Sequence, residues 1–155
     1  MHMRDLTPVI LAGGLGTRMR DALPGLPKVL APVAGRPFVT HLLDQLVKAG
    51  FHEVVLLTGH RHDDVFAELG ESYQQQRLLY SRERSPLGTG GAVRSALARC
   101  RSSAMLVMNG DSYLDLDLAA LARFHASHAC AVSVTLTRVA DTSRYGNVKL
   151  GMNDQ

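Results

Sequence analysis

Tryptophan is absent from the 155 residues, and the only large aromatic side chains are four phenylalanines and four tyrosines. No platform for stacking single-stranded nucleic acid follows from so few rings. Cysteine is almost as scarce: Cys100 and Cys130 stand alone, with no CxxC spacing, which excludes a zinc pattern or a disulfide framework and leaves two thiols of a reducing compartment. Long apolar runs are missing too, since Val9–Ala12, Val54–Leu57 and Met105–Met108 are four residues each, far short of a membrane span. Gly13 and Gly14 arrive too early to leave room for the apolar core of a secretory leader, so the expected location is the cytoplasm. An excess of charge of one sign is lacking as well. The net charge is +3, with basic residues scattered from Arg4 to Arg144, so neither a nucleic-acid partner nor a membrane partner is expected.

What is present suits a globular chain. Hydrophobic residues make up 46% and charged residues 20%, which excludes a disordered segment. The length allows one domain, residues 1–155, with a core that needs no staples. Pro8–Ala12 is a short continuous apolar run closed by glycines, as in a strand covered on both faces. After it, Pro37 opens a helical stripe of Phe38, Leu42, Leu43, Leu46 and Val47 that Gly50 ends. Glu53–Thr58 predicts a second buried strand, and Gly59-His60 leads into a helix carrying Val65, Phe66 and Leu69. Leu78–Ser81 predicts a third strand, followed by a Gly- and Pro-rich loop and an Ala-rich helix from Ala92 to Arg99. Ala104–Met108 predicts a fourth. Asp117 is placed to cap a helix with Leu118, Leu121, Ala122 and Phe124. Ala131–Val139 alternates as a further strand, and Asn147–Leu150 begins another. Strands alternating with helices in this way predict a three-layer α/β fold with a mostly parallel sheet.

In such sheets ligands bind beyond the carboxyl ends of the strands, where Gly13-Gly14-Leu15-Gly16-Thr17-Arg18 should lie. Glycines there let the main chain approach a ligand and offer N–H groups to anionic oxygens. Two familiar phosphate loops fail the test. No glycine is followed by lysine, which rejects a Walker loop, and Met19 stands where a dinucleotide fingerprint requires its third glycine. An NAD-type oxidoreductase falls with that fingerprint. Arg18 and, after a rigid proline, Lys28 remain as two cations suited to a triphosphate. The alternative is a tight turn with both cations solvated.

Leu11-Ala12-Gly13-Gly14-Leu15-Gly16-Thr17-Arg18 followed by Pro27-Lys28 resembles the signature of the sugar-phosphate nucleotidyltransferases. The resemblance runs from Thr7 to Leu150 through four motifs in family order. It implies a Rossmann-like fold of the nucleotide-diphospho-sugar transferase type. It further implies that Leu11, Ala12, Gly13, Gly14, Gly16 and Thr17 bind a nucleoside triphosphate, and that Arg18 and Lys28 contact the phosphates. Pro86-Leu87-Gly88-Thr89-Gly90-Gly91-Ala92 resembles the family's base-binding loop, with Gly88 and Thr89 against the base. Asn109-Gly110-Asp111 resembles its Gly-Asp metal position, which makes Asp111 a ligand for Mg2+. Arg144-Tyr145-Gly146 resembles the sugar-contact segment, so Tyr145 and Gly146 are expected to bind substrate. An ordinary loop entering a helix, an aspartate capping a turn and a plain turn are the alternatives for these three segments.

Glu83 stands where thymidylyl and some uridylyl relatives carry glutamine. Guanine offers two adjacent donors, N1–H and the N2 amino group, which a carboxylate accepts in bidentate fashion. Glu83 therefore favours GTP, an exposed strand-end glutamate being the alternative. The wording of Ala31-Pro32-Val33-Ala34-Gly35-Arg36-Pro37-Phe38, Leu87-Gly88-Thr89-Gly90-Gly91-Ala92, Asn109-Gly110-Asp111 and Ser143-Arg144-Tyr145-Gly146 most resembles the D-glycero-D-manno-heptose 1-phosphate and mannose 1-phosphate guanylyltransferases. The resemblance implies transfer of GMP from GTP to a sugar 1-phosphate with release of pyrophosphate, assisted by Mg2+ and without a covalent enzyme intermediate. The family's Glu-Lys-Pro segment and second metal-binding acid come later than Gln155. The 155-residue piece is accordingly expected to bind nucleotide poorly and turn over little, a nucleotide-binding regulatory module is the competing reading, and open strand edges favour a homo-oligomer. His60, His62, Asp63 and Asp64 read as a helix start whose acids complement the helix dipole rather than as a metal site. His125 and His128 read as surface residues.

Overall fold

A computed structural model describes residues 5–14, 25–59, 61–128, 130–139 and 148. The first strand, β1 (Leu6–Leu11), is the apolar run expected at the start, with Val9 and Ile10 wholly buried. A short 3-10 turn, Lys28–Leu30, and a two-residue hairpin, β2 (Pro32–Val33) with β3 (Arg36–Pro37), lead into helix α1 (Phe38–Lys48). Pro37 sits just outside α1 rather than in its first turn, and Gly50, at φ +82°, turns the chain back in the left-handed region that glycine adopts without strain. Val39, Leu42, Leu43 and Leu46 recur every three or four residues and are fully buried. β4 (Glu53–Thr58) and α2 (His62–Leu69) follow.

β5 (Ser72–Tyr73) and β6 (Gln76–Arg82) form a small antiparallel hairpin, the expected third strand being two residues longer at its start and one at its end. α3 (Gly88–Ala96) continues as a 3-10 turn through Arg99, and β7 (Ala104–Asn109) precedes α4 (Leu118–Ser127). Asp117 caps α4 as expected, its Oδ1 accepting the Ala120 N–H at 2.9 Å. The sheet order is β5-β6-β4-β1-β7, with β6, β4, β1 and β7 mutually parallel and Val9 flanked by Val55 and Val107.

Alternation along the two central strands sends successive side chains to opposite faces, and each face has its own helices. Ile10, Val54 and Leu56 pack with α1, with Val65 and Leu69 of α2 and with Leu118 of α4; Val9, Val55 and Leu57 pack with Ala92 and Ala96 of α3. The protein is thus the three-layer α/β structure that the alternation of elements predicts. Among the described residues no helix is long and apolar enough to cross a membrane.

The segment 131–139 differs from expectation. Among the described residues it has no strand pairing, and Val132 and Val134 are 72% and 70% exposed. Alternation specifies which side chains share a face, but a strand also needs a partner edge. Among the described residues β7 is the outer strand on that side of the sheet, pairs with β1 alone and leaves Val107 exposed. The strand expected to begin at Asn147 falls, except for Val148, outside the described residues.

Candidate active site

The carboxyl ends of β1, β4, β6 and β7 surround a cleft of about 530 Å3. Its floor is main chain. The Ala12 N–H donates to Leu57 O at 2.8 Å and the Gly110 N–H to Leu11 O at 3.0 Å, so the ends of three adjacent strands are tied before the chain turns away. Gly13 and Gly59 lie back to back: a Cβ on Gly59 would come 2.9 Å from Gly13 O. A Cβ on Gly14 would meet no atom of the described residues within 4 Å other than its chain neighbours, and Gly14 lines the cleft. The sequence points to the glycines after β1, whereas Gly59 enters only as the lead into α2. A glycine immediately after a second buried strand was the available signal for its packing role.

Lys28 is carried in by its own short scaffold. Pro27 holds φ −57°, the Leu30 N–H donates to Pro27 O and the Ala31 N–H to Lys28 O, while buried Val29 and Leu30 anchor the turn. Asp111 arrives from the opposite end of the sequence, on the turn after β7. Its Oδ2 lies 3.6 Å from Lys28 Nζ, with the two side chains 26% and 52% exposed. A half-exposed pair of this kind adds little to stability, so its geometry matters for what the cleft can bind. Ser112 Oγ donates to Asp111 Oδ1 at 3.3 Å.

The far wall is the loop from β6 to α3. The Glu83 N–H donates to Thr58 O at 2.8 Å, which fixes the loop's start to β4. The Glu83 carboxylate then accepts the Leu87 N–H at 3.3 Å, closing the loop on itself. Gly88 takes φ +67°, a conformation closed to most side chains, and α3 starts there. Gly88, Thr89 and Glu83 all line the cleft together with Leu11, Ala12, Gly13, Gly14, Lys28 and Asp111. Arg84 and Ser85 join them. Neither was anticipated, because an isolated arginine in a loop carries no spacing signal. Gly16, Thr17, Arg18, Tyr145 and Gly146 lie outside the described residues.

Away from the cleft, Asp63 and Asp64 occupy the first turn of α2 and pair with Arg82 and Arg61. His62 Nδ1 is 2.8 Å from Thr58 Oγ1. His125 and His128 make local contacts with Ser133 and Phe124, and among the described residues no three His, Cys, Asp or Glu side chains are grouped to hold a metal. For a divalent cation the donor chemistry of the cleft is nonetheless suitable. Asp111 is a half-exposed carboxylate opening onto it, and Mg2+ is commonly held by one or two carboxylates together with substrate phosphates rather than by a protein cage.

Fold and cleft together define an α/β protein with its cleft beyond the carboxyl ends of its strands, where ligands bind in open sheets of this kind. The nucleotidyl transferase family model matches residues 7–155, and the chain belongs to that family. It is 36% identical to a mannose-1-phosphate guanylyltransferase of Mycobacterium tuberculosis over the whole chain, spanning 44% of that protein. It is 34% identical to a D-glycero-alpha-D-manno-heptose 1-phosphate guanylyltransferase of Aneurinibacillus thermoaerophilus over 90% of the chain and 61% of that protein. The crystal structure of HddC from Yersinia pseudotuberculosis complexed with GMP-PN matches 95% of the chain and 65% of its own, with a TM-score of 0.83 at 29% identity. The chain therefore spans about half of the length of the curated relatives it matches.

Proposed function

We propose that the protein transfers GMP from GTP to a sugar 1-phosphate, a heptose or mannose 1-phosphate, releasing pyrophosphate. One observation carries this reading: Lys28 and Asp111, remote in sequence, meet at 3.6 Å in the same cleft as the Gly13-Gly14 main chain and the Glu83–Thr89 loop. A cation, an acid able to hold a metal, bare amides and a loop suited to a base are the parts that nucleotidyl transfer requires. The relatives' guanylyltransferase names support the choice of GTP and of sugar 1-phosphates.

In this reading an oxygen of the sugar 1-phosphate attacks the α-phosphorus of GTP in line, the bond to the bridging oxygen of the β-phosphate breaks, and pyrophosphate leaves with that electron pair. The protein's task is positioning and charge stabilisation, since little covalent chemistry falls to its side chains. Lys28, with Arg18 as the second cation, meets the charge that grows on the α-phosphate oxygens. Asp111 would hold Mg2+, which supplies neutralisation of the triphosphate when bound. The amides from Gly13 to Thr17 cradle the phosphates, with Leu11 and Ala12 at the foot of the loop, and Gly88 and Thr89 lie along the base. Glu83 accepts from guanine N1–H and N2, and its carboxylate has lone pairs to do so while still accepting the Leu87 N–H. Tyr145 and Gly146 contact the sugar. The two free thiols Cys100 and Cys130 accord with a cytoplasmic location.

The test is an assay of the complete protein for Mg2+-dependent pyrophosphate release, with GTP, UTP, CTP and dTTP each offered mannose 1-phosphate and heptose 1-phosphate. GTP with one of the two sugars should turn over fastest. A preference for a pyrimidine nucleotide would remove the role of Glu83, and no release with any pair would remove the reaction.

A further inference from the structure

The cleft holds two cations among its described lining residues, and their surroundings differ. Lys28 faces Asp111 at 3.6 Å. Arg84, like Arg94, Arg99, Arg101 and Arg138, pairs with no acid among the described residues, but of these five it alone lines the cleft. Arg84 also lies one residue from Glu83, in a bend that leaves both residues lining the same cleft. An exposed guanidinium is solvated in the free protein, so beside the carboxylate that would read the base it is open to an acceptor from the ligand.

Guanine supplies one. Its N1–H and N2–H2 donors point one way, and O6 and N7 present two adjacent acceptors on the neighbouring edge. A guanidinium is the side chain whose forked donors match O6 and N7 in bidentate fashion. We propose that Arg84 is a specificity-determining residue, donating to O6 and N7 of a guanine whose N1–H and N2–H2 are accepted by Glu83. The proposal rests on the nucleotide reading of the cleft given above. The two neighbours divide the base between them, an acceptor for its donors and a donor for its acceptors. Adenine is rejected at both positions, because it places an amino group where Arg84 needs O6 and lacks the N1–H that Glu83 accepts. Uracil and thymine lack the N7 acceptor.

The experiment is titration of the isotope-labelled complete protein with GTP, 7-deaza-GTP and ATP in Mg2+, following amide shifts of the cleft to saturation, for the wild type and for Arg84→Ala. A hydrogen bond to a charged group is worth about tenfold or more in affinity, so the wild type should bind GTP about tenfold tighter than 7-deaza-GTP, which lacks N7. Arg84→Ala should weaken GTP more than 7-deaza-GTP and bring the ratio close to one. Arg84→Lys should restore it only in part, since an ammonium can still donate to O6 or N7 but lacks the planar fork. Equal weakening of all three nucleotides would assign Arg84 to the phosphates and overturn the proposal, as would an unchanged ratio. Absence of binding by the wild type at millimolar nucleotide would overturn the nucleotide reading itself. Arg84 is exposed and outside the core, so the variants should fold, and unchanged amide shifts far from the cleft would show that they do.

Discussion

Gly110 has no room for a side chain. A Cβ there would collide with the carbonyl oxygen of Leu11 and come within 2.8 Å of Val29 Cγ1, and those two neighbours belong to the strand before the glycine loop and to the turn that carries Lys28. Gly110→Ala should therefore cost stability on the overpacking scale of about 1–3 kcal/mol, read as a lower urea midpoint, and should also weaken nucleotide binding by moving Asp111 relative to Lys28. Lys28→Ala in the complete protein should lower kcat/KM by about a hundredfold or more, the scale of one preorganised transition-state donor; retention of most activity would remove Lys28 from the chemistry. Individual residues were legible where a motif fixes the chemical need. Gly13, Gly14, Lys28, Glu83, Thr89 and Asp111 were all named from sequence and share one cleft. Gly59 and Arg84 were not, since close backbone contact and a missing ion pair are properties of three-dimensional neighbours.

At the scale of elements, α1 is the best-determined piece. Its apolar stripe and its end at Gly50 could be read directly, and Leu43, buried between α1 and the sheet, marks the strength of that packing. Leu43→Ala should destabilise by about 2–5 kcal/mol in urea denaturation, whereas Asp117→Ala, losing the cap of α4, should cost about 1 kcal/mol. A tie between α1 and the β5–β6 hairpin was invisible in sequence: Asp44 accepts from Tyr73 and Gln74 and pairs with Arg36. Burial pushes the Asp44 carboxyl up, but the bonds from Arg36, Tyr73 and Gln74 outweigh it and hold the group below the ordinary carboxylate value of 3.8. A lowered folded-state pKa contributes stability that is fully present above the unfolded value and fades as the pH falls through the folded one. Wild-type stability should therefore drop more steeply than that of Asp44→Asn as the pH is lowered below about 4, measured by urea midpoints across that range. The segment 131–139 shows the converse limit, because a period of two announces a strand without saying which edge will receive it.

For the whole molecule, strand order decides where the chemistry can be. Placing β1 between β4 and β7 brings the loops after three strands to one rim, and the residues that the motifs single out reach a common cleft only because of that order. Alternation of strands and helices was enough to anticipate the layers. It could not supply the order, which depends on how Val9 and its neighbours register with Val55 and Val107. The central claim is that the main chain at Gly13 and Gly14, the ammonium of Lys28 and the carboxylate of Asp111 serve one metal-nucleotide complex. Replacing Mg2+ by paramagnetic Mn2+ and adding GTP to the labelled complete protein tests this most directly, since each amide signal is broadened according to its distance from the ion. The strongest broadening should fall on Gly13, Gly14, Gly110 and Asp111, and Asp111→Asn should abolish it. Broadening centred elsewhere, for example on the surface between Asp44 and Asp115, would contradict the account.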